Sequence, residues 1–430
     1  MSPRRTVALA VGIVALEFGA AITSFVASTL LPVIAADLDA RNRLGLLIAG
    51  STLGLFVALP LATRVIRRIG ASAGLTLGAA GYLGGLAVAA SSTTAWTFAA
   101  GQFSAGLSSG LLGVFGIGAA IEHLEDRVRE RVVAASAAMW ILPALVGPAA
   151  TLGLEHLVGW RWTLVAPVPI VLIGRVLVVR VVRRSAATTA TSARPLGPTL
   201  LVPLGAALVV FGFGGWPVAA LGCLLALAGT VAIMPRGTAA LRRGTPAALA
   251  AMVLFAFGYF GADSLVTVLL TDGYAAGLRH AAIVLSAAPL AWGVTSLCAT
   301  ALRRRWNGRR FPVVGLSLAS AGTAGLTALL VTTPSVPIAV ASWAVAGMGV
   351  GLAYPSLYLM ASTAGSSGFT ATELATAVIT AEAIGGLLGR ATGGALTSTA
   401  STGGLTATYL TYSIALATAA LVAVRAPQRT

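Results

Sequence analysis

The chain contains no lysine; every basic residue is an arginine, and arginine together with abundant alanine and glycine points to a GC-rich genome. Charge of either sign is scarce. Charged residues make up 9% of the 430 positions and hydrophobic ones 57%, with a mean hydropathy of +0.92. Those proportions exclude a soluble globular domain and fit an integral membrane protein. Cysteine is nearly missing as well. Cys223 and Cys298 both fall inside apolar runs, which leaves no disulfide framework to infer and reads as two small core residues. The histidines, His123, His156 and His280, are too scattered for metal-ligand spacing and read as interfacial polar residues. Polar stretches are short, so the sequence leaves no room for a sizeable soluble domain.

What is present is a series of apolar runs of about 18–25 residues, the length needed to cross the hydrocarbon core as a helix. They lack the strict alternation of barrel strands, so the expected fold is all-α. Fourteen spans are expected. The first six lie near 6–34, 44–66, 72–91, 95–121, 132–157 and 162–182. Two shorter ones follow near 199–214 and 216–234. The last six lie near 247–271, 280–302, 312–332, 336–360, 372–398 and 404–425. Arg4 and Arg5 before the first run resemble a signal peptide, but the run is too long for a signal core and reads as a retained first helix. The formal charge of +16 could suggest nucleic acid. The arginines instead fall in alternate loops: only Arg41, Arg43, Arg161 and Arg279 lie on one side, and Arg390 lies within the thirteenth span. Such bias marks the arginine-rich side as cytoplasmic, with both termini on it. Trp160 and Trp162, beside Arg161, are expected in an aromatic belt at the outer interface.

The chain also repeats. Thr63 to Arg68 and Arg305 to Arg310 each lie between apolar runs about 242 positions apart, Ala105-Gly106 matches Ala346-Gly347, and Gly147-Pro148 matches Gly389-Arg390. Related halves in so apolar a chain suggest a transporter that rocks around a central site. An offset of that length exceeds six helices and leaves residues 185–247 over. The expected organisation is a six-helix half over 1–184, a linker and inserted two-helix transmembrane hairpin over 185–247, and a second six-helix half over 248–430. A single re-entrant stretch in place of the hairpin would put the termini on opposite sides, against the arginine bias.

With these motifs the chain resembles the major facilitator superfamily, and the six-two-six layout resembles its fourteen-helix drug:proton antiporter branch. The loop Leu59 to Arg68 is similar to the family's Gly-x-Leu-Ala-Asp-Arg-x-Gly-Arg-Arg loop, matching at Leu61, Ala62, Arg64, Arg67 and Arg68 and departing at Leu59, Thr63 and Ile66. Gln102 stands where the family's fourth helix carries Arg, ahead of Gly106. Gly147-Pro148 is similar to the antiporter motif of the fifth helix, and Gly159-Trp160-Arg161-Trp162 to the turn before the sixth. The resemblance implies an alternating-access transporter. It also implies that the usual coupling groups are missing or moved: Thr63 brings no charge, Gln102 cannot replace an Arg, and Thr23 occupies the place of a first-helix Asp.

A carboxylate at mid-membrane costs roughly 2.5–3.5 kcal/mol on insertion scales. Three lie well inside spans: Glu17, Asp263 and Glu382. Each can lower that cost by taking a proton, which makes them the expected proton-coupling groups. Glu17 shares a helical stripe with Ala21, Ser24 and Ser28, and Asp263 shares one with Tyr259, Thr267 and Thr271. Either stripe lines a cavity or makes structural hydrogen bonds. Glycines Gly385, Gly386 and Gly389 follow Glu382 and permit close helix contact. Arg390 is expected to meet an acid on another helix or to snorkel. Gln102 and Ser109 share a face with Gly106; Trp343, Tyr354 and Tyr358 share one with Gly347 and Gly351, where rings suit a flat lipophilic substrate. The expected cavity set is therefore Ser24, Ser28, Gln102, Ser109, Tyr259, Thr267, Trp343, Tyr354 and Tyr358. The expected gating and structural set is Arg64, Arg67, Arg68, Gly147, Pro148, Arg309, Arg310 and Arg390.

No Walker-type phosphate loop occurs, so ATP-driven transport is not expected, nor are an enzyme, a cofactor or a metal. The expectation is a monomeric secondary-active exporter of a bacterial cytoplasmic membrane. It would expel an amphiphilic, drug-like molecule in exchange for protons, contacting lipid but not nucleic acid. A lipid flippase or uncoupled facilitator on the same fold is the alternative, and a non-transporting sensor a third.

Overall fold

In the computed structural model, residues 3–123, 141–182, 196–211, 215–302, 310–363, 369, 371–397 and 402–426 are described. They form thirteen long helices: α1 (Pro3–Asp37), α2 (Leu44–Ala90), α3 (Ala95–His123), α4 (Ile141–Val165), α5 (Val168–Val182), α6 (Leu196–Phe211), α7 (Gly215–Ile233), α8 (Thr245–Asp263), α9 (Leu278–Leu302), α10 (Phe311–Val331), α11 (Val336–Ser362), α12 (Ala371–Thr397) and α13 (Thr402–Ala423). Among the described residues, ten segments are long and apolar enough to cross a membrane. An apolar surrounding offers no water to backbone N–H and C=O groups, so the helix, which pairs them internally, is the structure such runs adopt.

Two helices run on where a loop is expected. Thr63 to Arg68 are helical, and the break in α2 comes at Gly70, with φ 78°. The break in α4 comes at Gly159, with φ 77°. Glycine is the residue that enters this left-handed region without a Cβ clash. The opposite difference occurs after α8. The ninth span was expected to reach residue 271, but α8 stops at Asp263, and a short helical turn (Val266–Val268) and a π-helical turn (Leu269–Gly273) complete it. The Ser264 hydroxyl donates to Gly261 O at 2.7 Å and the Tyr409 hydroxyl to Ala262 O at 2.9 Å, so the carbonyls freed by the break are satisfied.

The chain divides into two compact units. One comprises Met1–Ala40 with Leu46–Gly197, the other Arg41–Gly45 with Pro198–Thr430. In the first, α1 packs on α3, α4 and α5. In the second, α10 packs on α11 and α13, α9 on α11, and α8 on α12 and α13. α6 and α7 pack on each other through Gly205, Gly222 and Gly229; a Cβ on Gly229 would lie 2.9 Å from Leu201.

The internal packing of the two units obeys one register. Gly85 lies against Gly101 and Ala105, and Gly322 against Ser342 and Ala346. Gly78 lies against Ser108 and Leu112, and Gly315 against Gly349 and Ala353. Gly106 meets Ser51 as Gly347 meets Ala288, and Gly110 meets Leu55 and Ala58 as Gly351 meets Trp292 and Thr295. The offset is thus 241 on α3 and α11, as expected from Ala105-Gly106, but 237 on both arms of α2 (51 to 288, 78 to 315). Carried along the sequence, 237 pairs Thr63 with Thr300 and Arg67-Arg68 with Arg304-Arg305. The second basic cluster, on which the 242 register rests, falls at residues 303–309, outside the described residues.

Both cysteines are exposed, on α7 and α9 among exposed Leu224, Leu227, Val294 and Leu297. They are not core residues. In an apolar solvent an unpaired thiol has no reason to avoid the outer face.

Candidate functional site

The acids and rings singled out from the sequence converge in the second unit. Tyr259 on α8 is 2% exposed and Trp343 on α11 fully buried. Their rings stack at 5.4 Å and 10°. Phe255 stacks on the other side of Tyr259 at 5.9 Å. Trp292, on α9, meets Tyr259 edge-on at 5.7 Å and Tyr354 at 5.5 Å. Tyr354 meets Phe255 and Tyr358, each at 5.9 Å. Four-residue spacing explains the arrangement: Phe255 and Tyr259 fall one turn apart on α8, and Tyr354 and Tyr358 one turn apart on α11.

Glu382 on α12 borders this cluster. Tyr354 and Tyr358 both lie near its carboxyl group. Its Oε1 is buried with no partner among the described residues; Tyr259 Oη and Trp343 Nε1 share that condition. Unpaired buried polar atoms carry a desolvation cost of about 1–3 kcal/mol each, so water or another polar group is expected beside these three.

Two turns beyond Glu382 stands Arg390, half-buried, facing Asp263 of α8 and Tyr412 of α13. Its Nη1 donates to Gly386 O at 3.4 Å. The Tyr412 hydroxyl donates to Gly389 O at 2.8 Å. Asp263 and Arg390 are not within 4.0 Å of each other; among the described residues the ion pair that is lies elsewhere, between Asp37 and Arg161. Thr267 is buried beyond the α8 break. Of the sequence-derived residues, Tyr259, Asp263, Trp343, Tyr354, Tyr358, Glu382 and Arg390 are therefore neighbours. Trp292, Phe255 and Tyr412 join them without having been anticipated. Tyr412 carried a weak signal, a tyrosine three residues after Tyr409 inside an apolar run.

The first unit is arranged differently. The side chains of Glu17, Ser24 and Arg67, and residue Arg309, lie outside the described residues. Ser28 is half-buried on α1. Gln102 is 3% exposed at the α2–α3 interface, its Cβ beside Gly50, and its Nε2 has no partner among the described residues. Ser109 bonds its own helix, at Gly106 O. These two belong to helix packing, because Gly50, Gly54 and Gly106 let α2 and α3 meet backbone to backbone. Gly147 lies against Phe25, and Pro148 is buried in α4. Arg64 Nη1 donates to Pro60 O at 3.0 Å, while Arg68 and Arg310 are exposed. Thr23, at the place of the family's first-helix acid, donates to Gly19 O and shares a 2.6 Å hydrogen bond with Tyr82.

The turn Gly159-Trp160-Arg161-Trp162 forms a clasp. Trp160 is 5% exposed and donates through Nε1 to Asp37 at 3.2 Å, while Trp162 is 72% exposed. Arg161 pairs with Asp37 at 2.9 Å, donates to Ser92 O at 3.1 Å and lies 4.3 Å over the Trp160 ring. One guanidinium thus ties α1, the α2–α3 turn and α4. Both charged groups are near two-fifths exposed, so the ionic part is worth at most about 1 kcal/mol. Arg161→Gln is expected to destabilise by roughly 1–2 kcal/mol, mostly through the Ser92 bond and ring contact. In a double-mutant cycle with Asp37→Asn, read from thermal midpoints, the coupling should stay below about 1 kcal/mol.

A membrane protein built of two units with one packing register, and with charges held among its helices, is a solute transporter rather than an enzyme. The family model of the Major Facilitator Superfamily matches residues 13–389, and the chain belongs to that superfamily. A solved D-xylose-proton symporter superposes with a TM-score of 0.67 at 13% identity, covering 98% of this chain and 97% of that one. The xylose transporter XylE from E. coli, in a partially occluded inward open conformation, gives 0.59 at 14% identity, with 97% and 95% covered. A POT family transporter in complex with 5-aminolevulinic acid gives 0.69 at 11% identity, with 96% and 94% covered. At such identity the likeness is one of fold. No curated protein matches the chain.

Proposed function

We propose that this protein is a secondary-active exporter that moves an amphiphilic small molecule by alternating access in exchange for protons. The observation that carries the reading is Glu382: a carboxylate inside a membrane helix, near Tyr354 and Tyr358, with one oxygen buried and unpaired among the described residues beside a wall of rings. A group of that kind is tolerated most readily in its neutral form, and a cycle of proton uptake and release there can be tied to substrate. The rings of Tyr259, Trp292, Trp343, Tyr354 and Tyr358 supply an apolar wall for a lipophilic substrate. Asp263 is the second acid of the site, and Glu17 is retained as a carrier on sequence grounds.

Fourteen crossings fit the same reading, with α6 and α7 as an inserted hairpin between six-helix halves and boundaries near 184 and 247. So do a monomer in a bacterial cytoplasmic membrane and termini on the arginine-rich, cytoplasmic side. A second reading, an uncoupled facilitator or lipid flippase, is favoured by one observation: the Thr23–Tyr82 hydrogen bond fills a place where the branch carries an acid with a neutral pair. Purified protein in vesicles decides between them. An imposed pH gradient is expected to drive a lipophilic dye against its own gradient; flux indifferent to pH would leave the facilitator.

A further inference from the structure

Glu382, Gly386 and Arg390 follow one another at four-residue steps on α12. They form a single stripe, about 12 Å long at 1.5 Å per residue and turning about 80° over its length. The stripe is charged at both ends and bare in the middle. A Cβ on Gly386 would meet Arg390 Nη1 at 3.1 Å and Phe260 at 3.6 Å, the movable ends of side chains rather than another backbone. Its neighbours Gly385 and Gly389 differ: both lie against main-chain oxygens of α8, at Val253 and Phe257. Gly386 is buried under the Arg390 and Phe260 side chains, and these can swing aside for a ligand where the main chain of α8 cannot.

We propose that this stripe reads both poles of an amphoteric substrate. Glu382, with the surrounding rings, takes a protonated amine; Arg390 takes an acidic group; and the connecting apolar chain lies over Gly386. The inference rests on the acid-and-ring site proposed above and assigns its substrate class. At the first pole, Glu382 Oε1, Tyr259 Oη and Trp343 Nε1 are buried without partners among the described residues, and ring faces attract a cation. At the second pole the guanidinium fork is underused. Its one side-chain donation is the long one to Gly386 O, and no described carboxylate lies within 4.0 Å of it. Tyr409 and Tyr412 give their protons to main-chain carbonyls. Asp263 faces Arg390 from α8 as a counter-charge held at a distance. A docked carboxylate would complete the fork with the paired hydrogen bonds a guanidinium favours.

Three probes of one length separate the poles: 8-aminooctanoic acid, octylamine and octanoic acid. They are titrated calorimetrically into the purified full chain in lipid nanodiscs, with empty discs as the blank. The amino acid is expected to bind at least tenfold more tightly than either single-pole probe. Glu382→Gln should reduce it to the level of octanoic acid, and Arg390→Gln to the level of octylamine. If Arg390→Gln does not fold with Asp263 left facing no cation, the double variant Asp263→Asn/Arg390→Gln removes both charges and reads the same pole. Octylamine binding as tightly as the amino acid, unchanged by the Arg390 variants, overturns the two-pole site in favour of a cation site. Binding of none of the probes, or equal binding of all three, overturns it as well. Failure of the exporter reading would show separately, as vesicle flux indifferent to pH with the binding pattern intact.

Discussion

Gly389→Leu is expected to yield no monodisperse folded protein. Gly385 and Gly389 set the distance between α12 and α8: a first side-chain carbon on Gly389 would fall on the Phe257 carbonyl oxygen, and one on Gly385 on that of Val253. The obstructing atoms belong to helix backbone, which cannot rotate aside as a side chain can. Without a hydrophobic drive between helices in lipid, close backbone approach supplies much of the association, so separation is costly at its source. Overpacking a well-packed interior ordinarily costs about 1–3 kcal/mol, and a blocked backbone contact lies at or beyond the upper end. The measurement is the thermal midpoint by fluorescence-detected size exclusion. Gly389→Ala should lower it clearly. Gly84→Ala and Gly153→Ala, where a Cβ meets nothing within 4 Å, should leave it unchanged or slightly raised. Gly386→Ala should fall between, since only Arg390 and Phe260 side chains must yield. A Gly389→Ala midpoint equal to that of Gly84→Ala would sink the argument.

That contact also shows what was legible in the sequence. The glycine spacing announced a close helix pair, but not its partner: α8 is more than a hundred residues away, and no local pattern names it. Hydropathy located the helices well, because membrane length and backbone pairing leave few alternatives. It misplaced breaks. Gly70 interrupts α2 beyond the arginines rather than among them, and α8 ends at Asp263, inside a run read as one span to residue 271. The repeat illustrates a different failure. Arginine-rich loops carry little register information, since many alignments place Arg on Arg: 242 was read there, while the glycine contacts on both arms of α2 give 237. Glycines pressed on particular carbonyls admit one register. In the site, Glu382, Tyr354 and Tyr358 were readable as an acid in one span and rings at i, i+4 in another. Trp292 was not, being one aromatic in an apolar helix, and its role depends on which helix faces it. Gln102 was readable as a polar residue on the face of Gly106, but not that Gly50 lies beside it on the facing helix.

Glu382→Gln is expected to abolish transport driven by a pH gradient while leaving exchange of substrate for substrate. Glutamine keeps the length of the side chain and an acceptor oxygen, but it carries no charge at any pH. It therefore fixes the site in the form that protonation would produce. If that protonation is the coupling step, the variant can still carry substrate in both directions yet cannot convert the gradient into accumulation. Accumulation in vesicles should fall to background, and counterflow should survive within a few-fold. Tyr354→Phe removes a hydroxyl that neighbours the carboxyl group and should weaken coupling without ending it. Asp263→Asn supplies the comparison. Arg390 faces Asp263 but lies two turns from Glu382, so the two acids do not have equivalent surroundings. Loss of accumulation in Asp263→Asn with full accumulation in Glu382→Gln would transfer the proton to Asp263. Loss in both would mean that the proton and the Arg390 counter-charge are linked, with one acid carrying the proton and the other holding the cation that lets it leave.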